Sequence, residues 1–192
     1  MTDSSGPLDR RSFFSQGLTR ALRELVGAVE QTVVRSQYVR PPGALPEAAF
    51  LAACTRCGAC ADVCPVHAIT KLPPATGLAA GTPTLDVAVT ACIMCETMPC
   101  AAACPTPALE VPPWGWRDAK VAQLEIDASR CITYRDVECG ICARVCPVGE
   151  DALTMDDRGR PVIGAACTGC GQCLNACVTT PTSLVARPLE ML

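Results

Sequence analysis

The sequence predicts a loop-rich α+β fold of two tandem modules that follow an N-terminal amphipathic helix. The 192-residue chain contains 16 cysteines in four groups of four, which indicates a repeated ligand-bearing module. Hydrophobic residues make up 49% of the chain but aromatic residues only 4%, so few bulky side chains are present to fill a conventional core. Residues 12–35 alone show sustained helical spacing of apolar residues.

The helix is predicted over residues 12–35 because apolar side chains recur there at intervals of three and four. These side chains are Phe14, Leu18, Leu22, Leu25, Val29 and Val33. Ser12 is a suitable N-cap, and charged residues fall on the other faces. We expect disorder over residues 1–11, a proline-containing linker over residues 36–49 and the cysteine-rich domain over residues 50–192.

The cysteine groups begin at residues 54, 92, 131 and 167, which are 38, 39 and 36 residues apart. No cysteine is left outside the groups. The first group is Cys54, Cys57, Cys60 and Cys64, the second is Cys92, Cys95, Cys100 and Cys104, the third is Cys131, Cys139, Cys142 and Cys146, and the fourth is Cys167, Cys170, Cys173 and Cys177.

Short strands are predicted around the groups. Proline follows the last cysteine of the first three groups, and its fixed φ ends a short helical turn. A small residue and an Ile or Leu come next, as in Ala68-Ile69, and we expect each such pair to start a short strand against the neighbouring unit. Residues 121–127 alternate enough to predict a further strand.

Iron–sulfur clusters explain the cysteines better than disulfides or zinc. Cysteines three apart within one turn rarely meet the geometry that a disulfide needs. Structural zinc sites usually pair two C-x₂-C knuckles across a loop of roughly a dozen residues or more, which does not fit this spacing. The C-x₂-C-x₂-C-x₃-C run of the first and fourth groups is typical of [4Fe–4S] proteins, in which the fourth cysteine ligates another cluster. Sixteen thiolates therefore predict four [4Fe–4S] clusters.

Two arrangements of shared clusters are compatible with the spacing. Adjacent pairing joins the first group with the second and the third with the fourth, whereas nested pairing joins the first with the fourth and the second with the third. We favour nested pairing, because it joins the two regularly spaced groups and the two groups with longer spacings. It predicts one module from residues 50–72 and 160–186 and another from residues 85–155. The predicted ligand sets are Cys54, Cys57, Cys60 and Cys177; Cys92, Cys95, Cys100 and Cys146; Cys131, Cys139, Cys142 and Cys104; and Cys167, Cys170, Cys173 and Cys64.

Three segments resemble the MauM/NapG-type ferredoxins. They are CIMCETMPCAAACPTPALE at residues 92–110, CITYRDVECGICARVCPVGEDAL at 131–153 and ACTGCGQCLNACV at 166–178, where proline is missing after the last cysteine. The resemblance covers about residues 50–186. It implies tandem bacterial ferredoxin-like modules, each a dicluster unit, with four [4Fe–4S] clusters and nested pairing. It also implies electron transfer beside a membrane quinol-oxidising partner.

The predicted function is electron transport rather than enzymatic catalysis. Single electrons would pass through the four clusters between redox protein partners. One such route would run from a membrane-bound quinol dehydrogenase subunit to a reductase. The alternative is a cytoplasmic electron-transfer subunit or a maturation factor for a metalloenzyme. No residue is predicted to be catalytic, since the cysteines hold the carriers and the protein sets their spacing and potential.

Composition excludes other classes of function. The net charge is −3 and the chain has no basic stripe, so no nucleic-acid partner is predicted. No run of 18 apolar residues predicts a transmembrane segment. Arg10-Arg11 resembles the start of a twin-arginine export signal, but Arg20, Arg23 and Glu24 interrupt the apolar stretch that such a signal needs. We therefore expect a cytoplasmic protein, with periplasmic export as the alternative.

Overall fold

Short helices and two-stranded sheets, joined by loops, build the part of the chain that the computed structural model describes, residues 37–189. This part lies within one unit of the chain, residues 36–192. The helix predicted over residues 12–35 and the disorder predicted over residues 1–11 lie outside the described residues.

The described part of the chain contains five short helices, six short strands and three 3₁₀ segments. The helices are α1 (Glu47–Ala53), α2 (Ala59–Asp62), α3 (Pro99–Ala102), α4 (Ile141–Arg144) and α5 (Gln172–Ala176). The strands are β1 (Ile69–Lys71), β2 (Pro83–Leu85), β3 (Gln123–Ile126), β4 (Leu153–Met155), β5 (Pro161–Ile163) and β6 (Leu184–Arg187). Short 3₁₀ segments cover Pro74–Ala79, Gly115–Asp118 and Ile132–Arg135.

Two copies of one arrangement are visible in the strand pairing. Each copy has an antiparallel hairpin between two cysteine groups, β1–β2 in the first and β4–β5 in the second. In the second copy, β3 pairs antiparallel with β6 and closes the module. In the first copy, a single bridge between Ala44 and Leu109 takes the place of that sheet. We call residues 44–109 the N-terminal module and residues 123–187 the C-terminal module.

The modules are therefore consecutive in the chain, and the predicted module boundaries are wrong. The hairpin β1–β2 turns the chain back so that α3 packs against α2, and β4–β5 does the same for α5 and α4. The prediction had instead combined residues 50–72 with 160–186 and set residues 85–155 apart. The prediction matched cysteine groups by their internal spacing. In the structure, the hairpin between two consecutive groups decides which helices pack together.

The segment predicted as a linker, residues 36–49, contributes to the folded core. Arg40 and Glu47 form an ion pair whose side chains are each only 6% exposed. The Arg40 guanidinium also donates to Thr82 Oγ1 and the Pro83 carbonyl oxygen, at 2.9 and 2.7 Å. It lies 4.7 Å from the ring centroid of the fully buried Phe50. Prolines suggested a linker, but the buried arginine ties this segment to β2.

Small side chains and cysteines dominate the core, as the composition predicted. Seven of the buried apolar residues are cysteines: Cys60, Cys64, Cys100, Cys131, Cys142, Cys170 and Cys173. The strand expected at residues 121–127 is present as β3, and β1 and β4 begin at Ile69 and Leu153, as predicted. The strand expected at Leu109 is reduced to a single bridge with Ala44. Over residues 37–189, no helix has the length and apolar character needed to cross a membrane.

Candidate metal centres

Site I is formed by three cysteines of the first group and the last cysteine of the second group. Cys54, Cys57, Cys60 and Cys104 line one cavity with Phe50 and Leu109. Burial and the neighbouring thiolates raise the pKa of the Cys60 thiol to about 11. Cys57 is the one exposed thiol among the 16 cysteines, all of which lie in the described part of the chain. Hydrogen bonds from the Ala59 backbone and the Thr55 side chain lower its pKa.

Site II has the reciprocal composition, three cysteines of the second group with the last of the first. Cys64, Cys92, Cys95 and Cys100 line a cavity with apolar walls that include Met94, Met98 and Trp116. Burial raises the pKa of Cys92 to about 12 and that of Cys100 to about 11, and neighbouring thiolates add to the effect. The Ala68 N–H donates to Cys64 Sγ at 3.3 Å.

Site III lies in the C-terminal module. Cys131, Cys139, Cys142 and Cys177 line a cavity with apolar residues such as Met155 and Leu184. Burial acts to raise the pKa of Cys177, but hydrogen bonds from the Ser183 and Thr179 hydroxyls outweigh burial and lower it to about 6. Burial raises the pKa of Cys142.

Site IV completes the second module. Burial raises the pKa of Cys173 to about 12, and the nearby thiolates of this site contribute. Burial also raises the pKa of Cys167 and Cys170, and the Cys146 thiolate adds to the effect. Because α4 packs on α5, the end of α4 brings Cys146 to the fourth group, and we assign one site: Cys167, Cys170, Cys173 and Cys146.

The structure thus brings the sixteen predicted cysteines together in four sites but contradicts the nested ligand sets. Cys177 lines the cavity of the third group, not that of Cys54, Cys57 and Cys60. Cys104 lines the cavity of the first group, and Cys64 that of the second. Cys146 accompanies the fourth group rather than the second. The physical reason is that each fourth cysteine follows a one-turn helix packed against the helix of the neighbouring group, α2 on α3 and α4 on α5.

A left-handed glycine lets the chain turn around site I. Gly58 stands between Cys57 and Cys60 with φ +92°, a conformation that L side chains rarely adopt, and forms the N-cap of α2. The Lys71 ammonium lies against this glycine and 3.4 Å from the Cys57 carbonyl oxygen. The loop therefore keeps its backbone close to the cavity, with a cation on its outer side.

The donor set and the cavities fit a [4Fe–4S] cube. All sixteen cysteines are free thiols, and the walls of the cavities are largely apolar. Within residues 37–189, no group of three or more His, Cys, Asp or Glu side chains converges on a single metal ion. Four sulfurs spread around a cavity match a cube, because each sulfur then meets a different iron corner.

The two modules meet where site II approaches site IV. The Cys92 N–H donates to the Cys170 carbonyl oxygen at 2.8 Å. Asn175 supports this contact, since its Oδ1 accepts from the Ala91 N–H at 2.8 Å and its Nδ2 donates to the Ala88 carbonyl oxygen at 2.9 Å. The segment between the modules is held as well, since the Val121 N–H donates to the Thr168 carbonyl oxygen at 2.7 Å. Ligand-bearing loops of two different modules are thereby held together.

Hydroxyl groups beside the sulfurs are the functional residues that the sequence analysis missed. Thr133 contacts Cys131, and Thr179 and Ser183 contact Cys177. A Thr two residues after a ligand cysteine is a visible signal in the first two cases, whereas Ser183 is brought to Cys177 by the fold. His67, the single histidine of the chain, is exposed.

Comparisons with known proteins agree with this arrangement. Two separate matches to a 4Fe-4S dicluster domain cover residues 53–108 and 123–178, one in each module. A methylamine utilization ferredoxin-type protein MauM of Paracoccus denitrificans is 38% identical over 82% of this chain and 75% of its own length. The MauM protein of Methylorubrum extorquens is 39% identical over 81% of this chain and 75% of its own length. The ferredoxin-type protein NapG of Escherichia coli is 33% identical over the whole chain and 91% of its own length. No solved structure matches the chain.

Proposed function

Because the chain belongs to the family of MauM and NapG ferredoxin-type proteins, we propose that it relays single electrons between two redox proteins along the sites I, II, IV and III, in that order. The observation that carries this order is the hydrogen bond of 2.8 Å between the Cys92 N–H and the Cys170 carbonyl oxygen. A bound [4Fe–4S] cluster supplies one-electron chemistry in which no bond to the chain has to break.

The order follows from which sites share chain segments. Sites I and II exchange fourth cysteines, because Cys64 and Cys104 each end a helix of the N-terminal module. Sites III and IV exchange Cys146 and Cys177 in the same way. Between the modules, the contact of Cys92 with Cys170 joins site II to site IV. Sites I and III are left at the two ends of the relay.

The contact between modules is also closely packed, which favours electron transfer because tunnelling falls off steeply with distance. Gly171, directly after Cys170, has φ +87°, and a Cβ built there would lie 2.6 Å from the Val87 Cβ. The glycine therefore permits an approach of the two backbones that no larger residue allows. Asn175 then fixes the register of this approach through its bonds to residues 88 and 91.

Substitution of Gly171 tests the relay order. We expect Gly171→Ala to slow the redistribution of electrons between the modules at least tenfold, measured by rapid-freeze electron paramagnetic resonance after mixing with sub-stoichiometric dithionite. Gly149→Ala is the matched control, because Gly149 has the same φ of +87° but open space around its Cβ position. The milder variant Asn175→Leu should also slow redistribution while it keeps the backbone unchanged. Equal rates in all four proteins would exclude the II–IV connection.

The direction of flow that we propose is from a membrane quinol-oxidising partner to a reductase. Membership of the MauM and NapG family supports it. Anaerobic membranes of the source organism, supplied with a reduced quinol, should reduce the purified holo-protein, and membranes without quinol should not. If a soluble dehydrogenase reduced the clusters and the quinol-supplied membranes did not, the proposed donor would be wrong.

A cytoplasmic location is a further part of the proposal. The charged residues Arg20, Arg23 and Glu24, which follow Arg10-Arg11, support it. Cell fractionation of the tagged chain should place it in the cytoplasm, and replacing both Arg10 and Arg11 by Lys should not change that distribution. A periplasmic signal that disappears in the double-lysine variant would establish twin-arginine export instead.

A further inference from the structure

Three hydroxyl side chains contact the ligand sulfurs of site III. Thr133 Oγ1 lies 3.2 Å from Cys131 Sγ, and Thr179 Oγ1 lies 3.2 Å from Cys177 Sγ. Ser183 Oγ lies 3.3 Å from the same Cys177 sulfur. A cysteine bound to iron has no proton on its sulfur, so in the loaded protein each hydroxyl donates and each sulfur accepts.

The fold holds these hydroxyls in place and keeps water from two of them. Thr133 is only 5% exposed and Ser183 only 3%. Thr133 belongs to the 3₁₀ segment Ile132–Arg135, directly after the ligand Cys131. The Ser183 carbonyl oxygen accepts from the Asp127 N–H at 2.7 Å, which ties Ser183 to the end of β3. The two buried donors therefore stay aimed at sulfur rather than turning to solvent.

The neighbouring sites in the relay have fewer such donors among the described residues. Site IV receives one hydroxyl, from Thr168 to Cys170. Site II has the backbone N–H of Ala68 as its donor to Cys64. The residue two positions after the fourth cysteine also differs between the sites. It is Thr179 at site III but Val66 at site II and Val148 at site IV, and valine has no hydroxyl to donate. Thr106, the equivalent residue at site I, lies 3.7 Å from the Cys104 sulfur, farther than Thr179 from its own.

A hydrogen bond to a ligand sulfur favours the reduced cluster, which carries one more negative charge than the oxidised cluster. Two donors on one sulfur and a third on another give site III the larger stabilisation. At site IV, the positive charge of Lys120 acts on Cys167 and also favours the reduced cluster. Lys120 is exposed, however, so water and salt screen its charge. Backbone N–H groups donate to sulfurs of both sites. The larger number of hydroxyl donors, three at site III against one at site IV, therefore favours reduction of site III.

We propose that Thr133, Thr179 and Ser183 raise the reduction potential of site III above that of site IV and make site III the electron-collecting end of the chain. This inference rests on the relay proposed above. With [4Fe–4S] clusters bound, one electron given by a reduced one-electron donor protein, or by dithionite in the test, would move from site IV to site III. Site IV would be oxidised and site III reduced, and no bond would form or break.

The test is a redox titration of the holo-protein followed by electron paramagnetic resonance. The signal that disappears in Cys139→Ser belongs to site III, and the signal that disappears in Cys167→Ser belongs to site IV. In the unsubstituted protein, site III should be reduced at a higher potential than site IV. In Thr179→Val with Ser183→Ala, the ratio of reduced to oxidised site III at a fixed potential should fall about tenfold, which is ~59 mV for one electron.

Two control variants separate hydroxyl donation from packing. Ser183→Thr keeps a hydroxyl and should leave the potential of site III near its original value. Thr106→Val removes the corresponding hydroxyl at site I and should leave site III unchanged. An unshifted site III in the double variant, or a site III that is reduced below site IV in the unsubstituted protein, overturns the inference. If electrons did not redistribute between the modules of the unsubstituted protein, the relay itself would be wrong. That result differs from an unshifted potential of site III, so failure of the relay and failure of this inference can be told apart.

Discussion

At the scale of single residues, the composition does not suggest the buried ion pair between Arg40 and Glu47. Arg40 and Glu47 are almost entirely inaccessible, and Arg40 also bonds to Thr82 and to the Pro83 carbonyl oxygen. Because its partners come from both the leading segment and β2, this one guanidinium joins two parts of the N-terminal module next to Phe50, which lines site I. Removing one partner would leave the other charge buried without compensation.

We expect Glu47→Gln to lower the free energy of unfolding by about 3–5 kcal/mol, the cost typical of breaking a buried pair. The matched control is Glu125→Gln, which breaks the exposed pair with Arg187 and should cost at most about 1 kcal/mol. Anaerobic urea unfolding, followed by the visible absorbance of the clusters, measures both. If the two variants were equally stable, the Arg40–Glu47 pair would have no special role.

At the scale of elements, one-turn helices decide which cluster each fourth cysteine serves. Helix α3 ends just before Cys104 and packs on α2, so that cysteine reaches site I. In the second module, Cys177 follows α5, which packs on α4 of the neighbouring group. The helices are too short to be stable alone, and their positions depend on this packing and on the clusters between them.

Serine substitutions at these helix ends test the pairing. Cys177→Ser should weaken the same electron paramagnetic resonance signal as Cys139→Ser, because both residues line site III. Cys104→Ser should weaken the same signal as Cys57→Ser, since both line site I. A Cys177→Ser variant with the spectrum of Cys57→Ser would restore the nested arrangement.

For the whole molecule, the clusters replace a conventional hydrophobic core. Cysteines form a quarter or so of the buried apolar residues, and the sheets have only two strands each. Two-stranded sheets and single-turn helices are not independently stable in water. Cluster binding must therefore supply a large part of the folding free energy, as metal binding does in other small metalloproteins.

Removal of iron should unfold the described part of the chain. Anaerobic treatment with a strong chelator is expected to abolish the visible absorbance and the far-ultraviolet circular dichroism of the fold in one transition. Reconstitution should restore about sixteen irons per chain, by four iron atoms in each of four cubes. Recovery of only about eight irons, or an iron-free chain with intact circular dichroism, would contradict this expectation.

The loaded molecule is also more acidic than its sequence alone suggests. The net charge of −3 counts each cysteine as neutral, whereas each oxidised cube with its four thiolates adds about −2, so the loaded chain carries roughly −11. We expect its electron transfer to a basic redox protein, with cytochrome c as the probe, to slow several-fold as salt rises from about 10 to 200 mM. An uncharged mediator is the control, and its rate should not depend on salt.

The sequence by itself determined the number and kind of clusters, because three ligands of each cluster come from one short loop whose cysteine spacing is a local property. It also predicted tandem modules and the strands that begin at Ile69 and Leu153. Only the tertiary structure decided that consecutive groups share clusters, since this depends on how the hairpins β1–β2 and β4–β5 return the chain. A long-range contact likewise brought Cys92 to Cys170, and the turn of the chain after α5 brought Ser183 back to Cys177. No cysteine spacing encodes either approach.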